Sequence, residues 1–369
     1  MTQTTDLLAG LAEIDPASAL AAAREQREAA TTHSQGSYLA LFSEDDADFP
    51  RDERFILAAQ VALWHQDSIL SAHYAQQAGN TPPGERLQLA LDHAERLTFQ
   101  PVTATAAHLG ALQQAGWTLS AIVTLSQLVA FVSFQSRVLH GLRLLADRPV
   151  AAHGNPAVTA GVWHTQPFSH SGKTAPVAFT QRELEWEPWI AAKPLAEFDP
   201  QQQQTLARFG HSDSDYFRLL ARNLPLLEQR TLTDKGIFFT SGGLPRAERE
   251  LAATVASKVN GCIYCASVHA RKAAQLSKQP EIIQQLLDVA PGKVLSEHQS
   301  PRWQAEIEFA AAISATPTSA APQHIQALRD QGLSELELLD LLQSTAFFAW
   351  ANRLMLTLGE PYIAEEKTL

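Results

Sequence analysis

The sequence predicts an all-α protein built from two tandem copies of one helical domain, with the N-terminal copy degenerate. Three observations carry that expectation. Apolar residues recur at spacings near 3.6 along most of the chain. Pro and Gly fall between these stretches rather than inside them. Two blocks of similar residues occur twice, in the same order.

The first copy spans residues 1–145, with helices expected at about 51–64, 67–79, 85–97, 103–115 and 118–146. Its block Phe49-Pro50-Arg51-Asp52-Glu53-Arg54 resembles Leu244-Pro245-Arg246-Ala247-Glu248-Arg249. A histidine follows each block, His73 and His269. Further on, Leu112 to Ser120 resembles Leu328 to Leu336, and the register then holds. Gln127, Ala130, Phe131 and Arg137 stand 216 residues before Gln343, Ala346, Phe347 and Arg353.

Residues 146–195 have a different texture. Pro149, Pro156, Pro167 and Pro176 sit among scattered Gly, Ser and His, the pattern of a linker running over a surface. Trp163, Trp186 and Trp189 are unusual in a loose tether and are expected to anchor it against a domain or a second subunit. The second copy, 196–369, should hold helices at 246–259, 262–276, 281–289, 301–314, 322–331 and 334–358. Ser334 with Glu337 three residues on is a capping-box signature. The run from Leu338 to Trp350 is apolar on nearly all sides, so it belongs in a core or an interface between chains. Asn352-Arg353 in that helix reads as polar groups paired across a helix interface.

Composition excludes several classes. At 369 residues the chain suits two or three domains, and 45% apolar against 18% charged residues can bury a large core. A net charge of −11 argues against a general nucleic-acid surface, since phosphates want clustered Lys and Arg. No uninterrupted apolar stretch of about 20 residues signals a membrane span. The start, Met1 to Asp6, has no basic region of a secretion signal, so a cytoplasmic location is expected. The two cysteines, Cys262 and Cys265, cannot make a disulfide scaffold; a CxxC pair in a cytosolic protein reads as redox or metal chemistry.

The informative segment runs from Glu250 through Cys262-Ile263-Tyr264-Cys265 to His269. Asn260-Gly261 breaks one helix, so both cysteines fall on the first turn of the next, where free N–H groups and the helix dipole favour a thiolate. Three residues apart, they share a face and can close a disulfide. His269, four beyond Cys265, lies on the same face and can take its proton. Glu250 on the preceding helix reaches His269 if the two helices pack antiparallel; a solvated Arg246–Glu250 pair is the competing role. Structural zinc needs four ligands, and the next histidine after His269 is His298, so no closed site and no metal ligand set is expected.

This pattern resembles the alkylhydroperoxidase D / carboxymuconolactone decarboxylase superfamily. Leu244 to Glu250 and Ala346 to Arg353 look like its peroxidase-related branch. The resemblance is good over about 196–369 and weak over about 35–145. It implies an all-helical fold and homo-oligomers, here a trimer or dimer of two-domain chains. It implies a thiol-dependent peroxidase with Cys265 as the peroxidatic and Cys262 as the resolving cysteine, and Glu250 and His269 as proton relay. The partners implied are a hydroperoxide substrate and an external dithiol or protein reductant, with no metal, haem or flavin cofactor. One departure stands out: the superfamily's best-known peroxidase has a histidine where Tyr264 stands, leaving Tyr264 a secondary candidate that would donate a hydrogen bond to Cys262. A disulfide oxidoreductase without peroxidase activity and a non-enzymatic assembly protein are the alternatives. In the N-terminal copy Gln66 to Leu70 replace the cysteine turn; it is expected to serve as packing surface, with an altered site from His65, Asp67 and His73 as the other option.

Overall fold

The apolar spacing is realised as helix after helix. The computed structural model describes residues 6–79, 84–151 and 158–364, and it is all-α apart from one two-stranded ribbon. Three helices, α1 (Leu7–Ala12), α2 (Ala19–Gln26) and α3 (Glu28–Phe42), precede the first repeated block. That block opens α4 (Arg51–Trp64), followed by α5 (Ser68–Ala75), α6 (Glu85–Phe99), α7 (Ala106–Gln114) and α8 (Leu119–Leu145). A connector carries β1 (Glu185–Pro188) and leads to α9 (Pro200–Phe209), α10 (Asp215–Leu220) and α11 (Leu224–Phe238). The second block then opens α12 (Arg246–Asn260), before α13 (Ile263–Ser277), α14 (Pro280–Asp288), α15 (Pro301–Ser314), α16 (Pro322–Asp330) and α17 (Glu335–Thr357). The chain's last described element is β2 (Gly359–Tyr362), antiparallel to β1. The expected helices are thus in place with shifts at their ends; α1–α3 and α9–α11 are additions to the sequence-based expectation.

The two long helices form the centre. α8 and α17 are buried along nearly their whole length because no face of either is polar. They meet through Phe131 against Trp350, with ring centroids 5.0 Å apart, and Phe134 against Trp350 at 5.6 Å. By length and apolar composition Leu119–Leu145 matches a membrane-spanning helix, yet 89% of its most apolar window is buried inside the protein. The expected capping box starts α17: the Ser334 N–H donates to Glu337 Oε2 at 2.8 Å. A second pair of helices, α3 and α11, pack so closely that a Cβ on Gly236 would meet the Ala30 backbone N at 2.5 Å.

Residues at matching places in the two blocks do matching work. Arg54 donates from Nε to Phe49 O (2.7 Å) and from Nη1 to Leu41 O (2.8 Å). Arg249 donates from Nε to Leu244 O and from Nη1 to Ile237 O, both at 2.8 Å. Arg137 of α8 reaches the end of α15, donating to Ser314 O at 3.1 Å; Arg353 of α17 reaches the end of α6, donating to Thr98 O at 2.9 Å. Each buried guanidinium therefore fastens a helix end of the other half. Counting from Arg54 and Arg249, the place of His269 falls on Tyr74, one residue beyond His73, the histidine that follows the first block.

The connector is anchored, as its tryptophans suggest. Trp186 Nε1 donates to Met355 O at 3.1 Å and Trp189 Nε1 to Glu360 Oε1 at 2.8 Å. Trp163 carries the Lys258 ammonium over its ring at 4.6 Å. Pro156 lies outside the described residues.

Candidate functional site

Gly261 shapes the site. It ends α12 with φ +77°, and a Cβ there would collide with the Val162 carbonyl of the connector. Only glycine meets both demands. Cys262 follows as the N-cap residue of α13 in extended conformation, and Cys265 lies in the first turn. Both thiols are free and buried, at 1% and 5% exposure.

The carboxylate and imidazole come together across α12 and α13. His269 Nδ1 sits 2.5 Å from Glu250 Oε2. Arg246 Nε donates to Glu250 Oε1 at 2.6 Å, so the carboxylate holds both partners at once, but buried and not as the solvated pair that was the competing role. Glu250 is 1% exposed. Burial would raise its carboxyl, but the His269 hydrogen bond and charge, with Arg246, hold it below the usual range. For His269, burial works against the charge, yet the Glu250 hydrogen bond and charge win and its pKa is raised. Phe238 and Phe348 pack on the imidazole, at ring distances of 6.1 and 4.4 Å.

The thiols split. Burial pushes the Cys262 thiol well up, helped by its role as donor to Cys265. Burial acts on Cys265 too, but the hydrogen bond from Cys262, the His269 charge, Asn352 and the Arg230 charge together bring it below the ordinary thiol value. The imidazole acts on this sulfur through its charge; among the described residues there is no direct His269–Cys265 hydrogen bond.

Three contributors escape sequence reasoning. Asn352 of α17 donates from Nδ2 to Ser257 Oγ at 3.0 Å, accepts from Asn260 at 3.0 Å, and reaches both thiols. It is no mere interface pair, whereas Arg353 beside it is one. Arg230 of α11 is 5% exposed, with its guanidinium 5.0 Å from the Phe347 ring centre and its Nε without a hydrogen-bond partner among the described residues. Asp234, one turn further, has its carboxyl raised by burial and faces Arg230, His269 and Glu250. Only proximity created by folding connects these residues to the cysteine turn. Tyr264 is half-buried, its hydroxyl pushed up to about 12 by burial, and it makes no hydrogen bond to Cys262 among the described residues.

A cavity of about 240 Å³ opens on one side of the turn, lined by Cys262 and Tyr264, by Met355 and Leu356 of α17, by the connector and by the start of α7. Among the described residues no cluster of three or more His, Cys, Asp or Glu is arranged to hold a metal.

Of the alternative site in the first half, His65 and Asp67 line one cavity of about 210 Å³, while His73 is not among its walls. His65 Nε2 is 2.9 Å from Ser133 Oγ, and Asp67 caps α5 by accepting from Leu70 N at 2.9 Å. His73 turns elsewhere, 3.1 Å from the Tyr38 hydroxyl. In place of the Glu250–His269 pair stand Phe55 and Tyr74, with ring centroids 6.4 Å apart.

Residues 225–291 match the carboxymuconolactone decarboxylase family. That segment runs from α11 through α14 and contains Glu250, both cysteines and His269. No curated protein matches the chain. Two solved structures are similar to part of it. One is the alkylhydroperoxidase AhpD core of a peroxidase-related protein from Ralstonia eutropha JMP134, 22% identical over 44% of this chain and 86% of that one, with a TM-score of 0.37. The other is a peroxidase-related protein from Silicibacter sp. TM1040, 22% identical over 46% of this chain and 92% of that one, with a TM-score of 0.38.

Proposed function

We propose that the protein is a thiol-dependent peroxidase that reduces hydroperoxides through a Cys262/Cys265 dithiol–disulfide cycle. The observation that carries this reading is the short Glu250–His269 contact beside a thiol pair split into one acidic and one strongly basic member. Such a split makes the sulfur with the lowered pKa the readier nucleophile of the pair and keeps a proton on the other.

The Cys265 thiolate attacks the distal oxygen of the hydroperoxide and the O–O bond breaks. The leaving alkoxide takes a proton from the His269 imidazolium and departs as alcohol, leaving a sulfenic acid on Cys265. Glu250 holds the imidazole by Nδ1 and stabilises its charge. Cys262 then attacks the sulfenic sulfur; water leaves and the Cys262–Cys265 disulfide closes. A dithiol returns two electrons by exchange. The chemistry asks for no metal or organic cofactor. The first half, with Phe55, Asp67, Leu70 and Tyr74 where the second has Glu250, Cys262, Cys265 and His269, acts as a thiol-free counterpart that supplies packing surface.

Hydroperoxide consumption with a dithiol reductant tests the reading. The wild type turns over, Cys265→Ser abolishes turnover, and Cys262→Ser stops at a sulfenic acid that a dimedone-type reagent traps on Cys265. Turnover surviving Cys265→Ser would refute it. Disulfide reduction without peroxide consumption would assign the same pair to an oxidoreductase instead.

A further inference from the structure

The two sulfurs face different surroundings. The 240 Å³ cavity touches Cys262, while Cys265 is not among its walls, nor are His269, Glu250 or Arg246. The imidazole side has its own opening: the His269 side chain keeps 21% of its accessible surface and Arg246 keeps 29%. The dithiol turn thus separates an apolar chamber from a charged, partly open face.

We propose that the cavity beside Cys262 is the binding site of the reducing thiol, and that hydroperoxide reaches Cys265 separately, from the His269 side. This rests on the peroxidase reading above. In the reduced protein a peroxide placed in the cavity would meet the protonated sulfur, a poor nucleophile. In the oxidised protein a thiol in the same cavity meets the Cys262 sulfur of the disulfide. Its thiolate forms a bond to Cys262 Sγ and the Cys262–Cys265 bond breaks, with the electron pair leaving on Cys265. The lower-pKa sulfur is the faster leaving group, and His269, Arg230 and Asn352 are already arranged around the charge it carries away. The reductant's second thiol then attacks its own mixed disulfide, closing the external disulfide and returning Cys262 as a thiol. Each partner therefore works on the sulfur suited to it.

The walls also state what kind of thiol fits. Phe168, Pro176, Leu356 and Met355 make the chamber mainly apolar, while Glu360, with His164 and His170, adds a carboxylate wall that opposes an anionic thiol. A compact dithiol with an uncharged hydrocarbon body matches the chamber; a charged tripeptide thiol does not. One wall, Ala104 to Ala106, comes from the first half of the chain, and the roof comes from the connector, so the site needs the whole molecule.

The test separates the two half-reactions in the full-length protein. Ala106→Trp and Ala175→Trp each place an indole in the chamber from a partly exposed position on different walls. Oxidation is followed in single turnover with cumene hydroperoxide, and reduction with 1,4-butanedithiol, dithiothreitol and glutathione. Both variants are expected to slow reduction by butanedithiol at least tenfold more than they slow oxidation. The wild type is expected to prefer butanedithiol over dithiothreitol, which differs by two hydroxyls. Equal slowing of both half-reactions, or reduction untouched by both indoles, would overturn the proposal. A wild type that cumene hydroperoxide fails to oxidise would overturn the peroxidase reading alone. The chamber is then judged by the same reductants on a diamide-formed disulfide, where unimpaired reduction of both variants would overturn it.

Discussion

Replacing Glu250 by Gln removes the charge that sustains His269 while keeping an oxygen for Arg246 to donate to. Two unit charges about 4 Å apart interact by about 4 kcal/mol at an effective dielectric near 20. The partial exposure of His269 and the opposing charge of Arg246 discount that figure, and the imidazole should fall back toward its ordinary value. Its raised value means that imidazolium persists to higher pH than usual, and the lowered Cys265 value means that thiolate persists to lower pH than usual. Oxidation by hydroperoxide should accordingly show a plateau between the two. In Glu250→Gln the imidazolium gives up its proton at lower pH than in the wild type, Cys265 loses a neighbouring cation over that range and its thiolate forms only at higher pH. The lost proton donor adds to this, since positioned acid–base groups ordinarily contribute about 10²–10⁴-fold. The expected fall in the oxidation rate at pH 7 is about a hundredfold, with partial recovery as pH rises. Thiolate absorbance titration and stopped-flow oxidation measure the two effects. A Cys265 titration unchanged from wild type, together with a rate within threefold, would refute the reasoning.

Asn352→Ala should raise both thiols, because its side chain lowers each, and should cost about 1–3 kcal/mol through the orphaned Ser257 and Asn260 groups; a thiolate titration with a urea unfolding curve reads both, and unmoved thiols would remove Asn352 from the site. Glu306 lies buried near Arg302, which also binds Glu248 at 3.0 and 2.7 Å; burial, then the Glu248 charge, lifts its carboxyl from 4.5 to about 9. The folded state therefore keeps a proton that the unfolded chain loses, and stability falls as pH rises between those values. Glu306→Gln is expected to raise the urea midpoint at pH 8 and to converge with wild type near pH 4; a difference independent of pH would exclude this.

Much of this arrangement is legible in the sequence, for physical reasons. Helices α4–α8 and α12–α17 bury large apolar residues at helical spacing, and Ser334, Asn260 and Gly261 mark their ends. Helix α3 is not legible because most of its buried face is the small Ala30, Ser34 and Ser37, with large apolar residues, Leu41 and Phe42, only at its end. The partner helix α11 hides Arg230, Thr231, Thr233 and Gly236 in its buried face for the same close fit. Within the site, Glu250, Cys262, Cys265 and His269 were found because helix geometry links them over short distances along two adjoining helices. Asn352 and Arg230 lie far away in sequence, and their part depends on how α17 and α11 are laid against the turn. Tyr74 as the counterpart of His269 follows from the repeated block itself: Pro50 and Pro245 stand 195 residues apart, as do Arg54 and Arg249, and 195 residues before His269 is Tyr74, not the imidazole of His73 beside it.

The crossed grip of Arg137 and Arg353 bears on how the molecule can be handled. Each guanidinium is at most 1% exposed and finds its helix-end carbonyl acceptor only in the opposite half; burial alone brings Arg353 down to about 9. Cutting the chain at the connector to isolate the cysteine-bearing part would strip Arg353 of Thr98, expose the apolar flank of α17 and leave two fragments that each hold half of a clasp. Whatever ancestry the repeated blocks record, the two halves are expected to hold together as one unit, with excised pieces poor stand-ins for the whole at the bench.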